Sequence, residues 1–261
     1  MSFSNEHWGP LVKSKVAEVL ADSSFAVPTS DFSSITSPDA KFALAIDHTL
    51  LKPDATPAQI DELCDQAIRY KFKSCCVNGA NVEQVSRRLE GSGSVTCAVI
   101  GFPLGAGATA AKAFEAKDAV TNGAKEIDMV VNIGALKAGN YSLVYSDIRA
   151  VVETAETTVK VILETVFLSD EEKIAASFLA AEAGAAFVKT CTGFSGGGAT
   201  VADVLLMRKS VAYKSSVKVK ASAGIRSFDK CLEMFKSGAE RIGTSSGAAI
   251  MESAEVAAGS Y

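Results

Sequence analysis

The chain has 261 residues, 48% of them hydrophobic, and a net charge of −4. That length suits two small domains or one α/β barrel. The balanced charge, with no run of five Lys/Arg, excludes a nucleic-acid footprint, and no apolar run approaches the ~18 residues that cross a bilayer. The N-terminus also lacks the basic-then-apolar layout of a secretory signal. The expected compartment is therefore the cytoplasm, with no membrane or nucleic-acid partner.

Residues 1–41 read as an extension, with a helix around Leu11–Leu20 and then a Ser/Thr-rich linker. Residues 42–261 read as one domain with a short C-terminal tail. Within it, short β-rich runs alternate with longer helical stretches. The predicted strands are Ala43–Asp47, Ser74–Val77, Thr96–Ile100, Glu126–Val131, Lys160–Glu164, Ala186–Lys189, Val217–Ala221 and Arg241–Thr244. Several are continuous apolar runs, as expected for a parallel sheet buried on both faces.

The intervening helices carry recognisable boundaries. Thr56-Pro57 opens one, with Pro at the first helical position. Ser169-Asp170-Glu171-Glu172 opens another, with a Ser cap and acids in the first turn. Three helices end on a shared Gly-Ala, at Gly123-Ala124, Gly184-Ala185 and Gly238-Ala239, and a strand follows each. Eight strand–helix units predict an α/β fold, the (β/α)8 TIM barrel with an N-terminal helical extension. An open doubly wound sheet is the alternative, but no G-x-G-x-x-G follows the first strand.

The six cysteines form no C-x-x-C pair and mostly sit in apolar patterns, which fits small buried residues in a reducing compartment. Two histidines are too few for a His-rich zinc site. No metal or cofactor is expected, and only a carboxylate-bound magnesium stays open.

In a barrel the chemistry lies at the C-terminal ends of the strands. Those ends present Asp47 and His48, Cys76 and Asn78, Gly101, Asn132, Glu164, Lys189 and Lys220. One strand-end lysine more often snorkels to solvent. Two in successive units, each entering a Gly-containing loop, favour chemistry. Burial lowers a lysine's pKa and a neighbouring ammonium lowers it further, leaving an amine free to attack a carbonyl. Asp128 lies inside an apolar strand, where a carboxylate needs a partner. The loops carrying Gly193, Gly224-Ile225 and Gly243-Thr244-Ser245-Ser246 follow the last three strands, a common phosphate cradle in barrels.

At these residues the chain resembles the deoxyribose-phosphate aldolases. The matching segments are Asp47-His48-Thr49-Leu50-Leu51-Lys52-Pro53, Cys76-Val77-Asn78, Gly101-Phe102-Pro103-Leu104-Gly105, Glu126–Gly134, Val188–Phe194 and Gly243-Thr244-Ser245-Ser246. The resemblance implies metal-independent, reversible cleavage of 2-deoxy-D-ribose 5-phosphate to D-glyceraldehyde 3-phosphate and acetaldehyde. It implies a Schiff base on Lys189, with Lys220 tuning it and exchanging protons with Asp128, which acts through a water. Asp47 and Thr192 would contact substrate hydroxyls, with Cys76 beside them. Gly193, Gly224, Ile225, Gly243, Ser245 and Ser246 would hold the phosphate. It further implies a homodimer or homotetramer, and a C-terminal tail whose Tyr261 reaches the site. Two positions depart from the family pattern: Ala223 stands where Gly is common, and Cys191 where Ser is common. A phosphosugar isomerase without a covalent lysine and a non-catalytic phosphometabolite binder remain the alternatives, since this fold hosts many chemistries.

Overall fold

The computed structural model describes residues 4–253. Eight strands, β1 (Ile46–Leu50), β2 (Ser74–Val77), β3 (Val95–Ile100), β4 (Glu126–Val130), β5 (Thr158–Ile162), β6 (Phe187–Lys189), β7 (Lys218–Ser222) and β8 (Arg241–Thr244), pair in sequence order. All pairs are parallel, and β8 returns to β1 through Ile46 opposite Ile242 and Asp47 opposite Gly243. This is the closed (β/α)8 barrel, not the open sheet.

Eleven α-helices accompany the strands among the described residues: α1 (Asn5–Ala21), α2 (Ala40–Ala43), α3 (Pro57–Tyr70), α4 (Val82–Arg88), α5 (Thr109–Thr121), α6 (Ile133–Lys137), α7 (Tyr141–Ala155), α8 (Asp170–Glu182), α9 (Val201–Ser210), α10 (Phe228–Lys236) and α11 (Gly247–Met251). Both predicted starts form full capping boxes, Thr56 with Gln59 and Ser169 with Glu172. The three Gly-Ala joints are built alike. Gly123, Gly184 and Gly238 all have φ near +100°, and the next alanine N–H reaches back to Ala119, Ala180 and Met234 respectively. The residue after that alanine enters the sheet, as Lys125 N–H bonds Thr96, Ala186 bonds Val159 and Glu240 bonds Val219. One joint, repeated, sets the register of three strands.

The N-terminal helix is longer than its apolar residues suggest, and it docks on α7, α8 and α9. Trp8 is buried there, its ring 4.6 Å from that of Tyr145.

Alternation along the strands separates two interiors. Ile46, Cys75, Ala98, Ile127, Val159, Val188, Val219 and Ile242 belong to one apolar core shared with the helices. The opposite phase carries Asp47, Ser74, Glu126, Asp128, Lys160, Lys189, Lys220 and Arg241, all buried. Barrel interiors are usually filled by branched apolar side chains. This one is filled by charge.

Six strands differ from their predicted bounds, β3, β4 and β6 by a single residue and β1, β5 and β7 in ways that move a site residue. Residues 40–43 form a helical turn because Asp39 accepts the N–H groups of Lys41 and Phe42, each at 2.9 Å. β1 therefore starts at Ile46, and Asp47 is its second residue instead of its exit. β5 closes at Ile162, and Glu164 beyond it takes the left-handed region with φ 56°. β7 runs to Ser222, so Lys220 lies mid-strand.

A buried ion pair fixes the barrel's outer layer to the end of β4. Lys112 of α5 donates to Asp147 of α7 at 2.6 Å and to the Val130 carbonyl at 3.0 Å. Thr109 donates to the other Asp147 oxygen at 2.9 Å. Gly101 makes room for the lysine stem, since a Cβ there would lie 3.0 Å from Lys112 Cε. Removing one partner of such a pair strands a buried charge, at about 3–5 kcal/mol. Asp147→Ala should lower unfolding stability by that amount in urea titrations. A loss under about 1 kcal/mol, the range of an exposed pair, would show that water compensates Lys112.

Candidate active site

Asp128 stands at the centre of the charged interior. Lys189 and Lys220 both donate to its Oδ2 at 2.8 Å, and Lys160 donates to its Oδ1 at 2.8 Å. Asp47 lies behind it, accepting from Lys220 and, on Oδ1, from Ser74 and Arg241 at 2.7 Å each. Glu126 closes the network with Lys160 at 2.6 Å and Arg241 at 2.8 Å. Four cations thus meet three carboxylates with almost no solvent access. Lys160, Lys220 and Arg241 each touch at least two carboxylates. Lys189 touches Asp128 alone among the described residues. It sits at the last position of β6, above the others, as the least compensated cation in the cluster.

Burial by itself raises a carboxyl's pKa, yet the ammoniums of Lys160, Lys189 and Lys220 outweigh it and hold Asp128 well below its usual range. Asp47 is held down likewise by Arg241, Lys220 and Lys160. Burial also pulls Lys220 down, as the strand-end reading expects, but Asp128 and Asp47 reverse the sign and hold its ammonium above the ordinary lysine value. The correction has a simple cause: Lys220 is buried against two carboxylates, not against apolar walls.

The loop after β6 is tied on both sides. The Thr190 hydroxyl donates to the Ser222 carbonyl at 2.9 Å and accepts the Ser222 N–H at 3.0 Å. Thr192 donates its N–H to Glu164 at 3.2 Å, and its hydroxyl donates to the same carboxylate. That hydroxyl also accepts the Phe194 N–H at 3.1 Å. Thr192 faces Glu164 here, and Asp47 lies at the bottom of the cluster, so neither presents a free group to the mouth.

The three glycine loops are adjacent because β6, β7 and β8 are neighbours. Gly193 and Gly224 have φ of 89° and 72°. Ala223 shares this region at φ 76°, where a Cβ is strained by roughly 1–2 kcal/mol. Its carbonyl accepts Ala199 N–H at 3.0 Å. Gly243 is a residue of β8 itself. A Cβ there would lie 2.1 Å from Ser222 Oγ and 2.9 Å from Lys220 Cε, so it gives space to Lys220. Ile225 is a core residue whose carbonyl accepts the Thr244 hydroxyl at 2.7 Å. Ser246 stands at the N-cap position of α11 and is buried, and Ser245 is half-buried beside it.

Cys76 is fully buried in a small apolar group with Leu51, Cys97 and Val99, under Phe102. The Phe102 and Phe194 rings meet edge to face at 5.1 Å across the loops after β3 and β6. His48 turns away from the cluster, to Gln66 at 2.6 Å and Phe72. Cys191 contacts the Thr165 hydroxyl at 3.2 Å and is an enclosed thiol, its pKa raised by burial. Tyr261 lies outside the described residues.

Three charged partners escape a strand-end search: Lys160, Glu126 and Arg241. All three carry a readable signal. Glu126-Ile127-Asp128, Val159-Lys160-Val161 and Arg241-Ile242 each place charge on one phase of a strand otherwise buried on both faces.

Comparison with known proteins matches this geometry to one family. The model of the DeoC/LacD family aldolases matches residues 41–253. The deoxyribose-phosphate aldolase of Staphylococcus haemolyticus is 55% identical over 82% of this chain and 97% of its own length. That of Carboxydothermus hydrogenoformans is 57% identical over 81% and 94%. Among solved structures, a Coccidioides immitis protein described as a deoxyribose-phosphate aldolase superposes with a TM-score of 0.89 at 39% identity, covering 97% of this chain and 98% of that one. The tetrameric deoxyribose phosphate aldolase of Aeropyrum pernix follows at 0.78 and 31% identity, covering 92% and 97%. A barrel with this buried lysine–carboxylate cluster, matched over four-fifths of its length at such identity, belongs to the DeoC/LacD family of aldolases.

Proposed function

We propose that the chain catalyses reversible aldol cleavage of 2-deoxy-D-ribose 5-phosphate to D-glyceraldehyde 3-phosphate and acetaldehyde, through a Schiff base on Lys189. The observation that carries this reading is Asp128 Oδ2 held 2.8 Å from both Lys189 and Lys220. A nucleophilic amine, a carboxylate kept ionised and an ammonium kept charged thus converge on one point.

In this reading the free amine of Lys189 attacks the C1 aldehyde of the open-chain sugar, and the adduct loses water to give a protonated imine. That cation is an electron sink. Removal of the C3 hydroxyl proton breaks the C2–C3 bond, and its electron pair is stored as an enamine on C2. Asp128 accepts and returns protons, directly or through one water, and Lys220 resupplies them. Protonation at C2 and hydrolysis release acetaldehyde. Acid–base groups of this kind contribute ~10²–10⁴-fold each. Thr192 and Asp47 act here by holding the β6 loop and Lys220, and Cys76 shapes the apolar wall.

The phosphate is assigned to the loops at Gly193, Gly224-Ile225 and Ser245-Ser246, through backbone N–H groups. Arg226 adds a buried Nε with no hydrogen-bond partner among the described residues. A homodimer or homotetramer is inferred from the A. pernix relative, which is a tetramer. A cytoplasmic setting fits six free cysteines. No described helix is long and apolar enough to cross a membrane.

Borohydride added to the protein with deoxyribose 5-phosphate should leave a reduced adduct on Lys189, read by peptide mass mapping. An adduct on Lys220 would exchange the two roles. No adduct on folded, substrate-bound protein would overturn the imine and favour an isomerase or a binder. Asp128→Asn should fold and still trap substrate, while kcat falls ~10²–10⁴-fold. An unchanged kcat would remove Asp128 from proton transfer.

Ala223 gives a separate expectation. Its methyl narrows the cradle and strains the turn, so Ala223→Gly should lower KM for the phosphorylated sugar several-fold at constant kcat. An unchanged KM would show that the phosphate does not approach this turn.

A further inference from the structure

Cys76 and Cys97 are register partners on β2 and β3. Their side chains therefore leave the sheet on the inner face at one level. Both sulfurs and an Asp128 oxygen lie within 4.8 Å of one another, all buried, and among the described residues this is the one such group of three donors. Cys97 already directs its S–H to Asp128 Oδ1 at 3.3 Å. A tetrahedral ion with M–S near 2.3 Å and M–O near 2.1 Å sets its donors roughly 3.6–3.8 Å apart. Small side-chain adjustments bring the three donors to that spacing.

We propose that Cys76, Cys97 and Asp128 form a site for one thiophilic divalent ion, zinc or cadmium, whose binding withdraws Asp128 from its lysines. The ion replaces the two thiol protons, which leave to solvent, and no electrons are exchanged. The net charge of the cluster is therefore unchanged, which answers the objection that three ammoniums surround Asp128. Two thiolates and one carboxylate select soft ions over magnesium or calcium. Entry follows the path a sugar phosphate needs to reach Lys189, since Cys76 and Lys189 both adjoin Asp128. Occupancy leaves Lys189 and Lys220 without the carboxylate they share, so imine chemistry stops. That consequence rests on the proposed role of Asp128; the binding itself does not.

The test is cadmium titration of the full chain, read by the thiolate-to-cadmium charge-transfer band and by native mass. Cys64 and Cys75 form a second thiol pair, outside the barrel, without a carboxylate ligand between them. One ion per chain is expected, kept in the Cys64→Ser/Cys75→Ser variant. Cys97→Ser should weaken binding by at least the ~10–100-fold that losing even an outer-shell partner brings. Should Cys97→Ser fail to fold, thiol mapping of the unsubstituted protein decides: cadmium must protect Cys76 and Cys97 from alkylation during denaturant-induced opening. No band, or a band lost only with Cys64 and Cys75, overturns the site. Borohydride trapping run alongside keeps the two readings apart. Trapping that fails without cadmium counts against the aldolase reading, whereas trapping that persists with cadmium bound overturns the withdrawal of Asp128.

Discussion

The structure turns on one carboxylate shared by three ammoniums. Asp128 is completely buried, and each oxygen is committed to lysine. A buried ion is costly unless its geometry is good and its remaining hydrogen-bonding positions are filled. Here the filling is done by a second rank, Asp47, Glu126, Arg241 and Ser74, none of which extends to the mouth. The barrel walls hold the positions, because inward residues of neighbouring strands are spaced by the sheet itself. The charges stabilise one another only within a pH window. Asp47 and Asp128 have depressed pKa values, so their contribution is complete above the unfolded carboxylate range near pH 4 and fades as pH falls through the folded values. Lys160 and Lys220 are raised. Their contribution is complete below the unfolded lysine value near 10.4 and fades as pH rises through the folded ones. Neutral pH lies between, with Asp47, Asp128, Lys160 and Lys220 all charged.

The same network explains several small residues. Gly243 is required by the Lys220 side chain and Gly101 by the Lys112 stem. Both are glycines of close approach, where any Cβ would push a lysine off its carboxylate. Gly123 and Gly238 differ, because they end helices, and a Cβ on them would strike Ser86 and Arg208. A glycine count in the sequence cannot separate these uses, since the close neighbour comes from another strand or helix.

Fold class was legible because it is written locally: eight apolar runs, two capping boxes and three Gly-Ala joints need no long-range information. Lys189, Lys220 and Asp128 were legible for a related reason, being charges in apolar strands near loops with special residues. Lys160 and Glu126 were equally visible by phase but stood at strand starts, where a search of strand ends does not look. The exact exits were harder. Asp39 caps a helical turn that shortens β1 from its front, and Glu164 leaves β5 by a left-handed bend; one depends on a single side chain's cap and the other on a single dihedral. The sign of the Lys220 shift depends on contacts with Asp47 and Asp128, which are 173 and 92 residues away in sequence. No local pattern carries that.

Glu164 shows how far the fold goes to hold the β6 loop. It is fully buried, and no salt bridge reaches it among the described residues, though a lone buried carboxylate is unfavourable. It also occupies φ 56°, a conformation that side chains other than Gly and Asn adopt at a cost. Both penalties are offset by one function: its two oxygens receive the N–H and O–H of Thr192, three residues beyond Lys189. On the other side of the same loop, Thr190 exchanges two hydrogen bonds with Ser222 on β7, two residues beyond Lys220. The segment from Lys189 to Thr192 is thus clamped on both sides by these side chains, in addition to the backbone bonds of Thr190 to Lys220 and Thr165. A nucleophile on a three-residue strand needs such external support, because the ladder holds only three register pairs on each side and Lys189 is in the last of them. The bend at Glu164 is the means by which β5, whose last strand residue pairs with Lys189, reaches past its own end to supply that support.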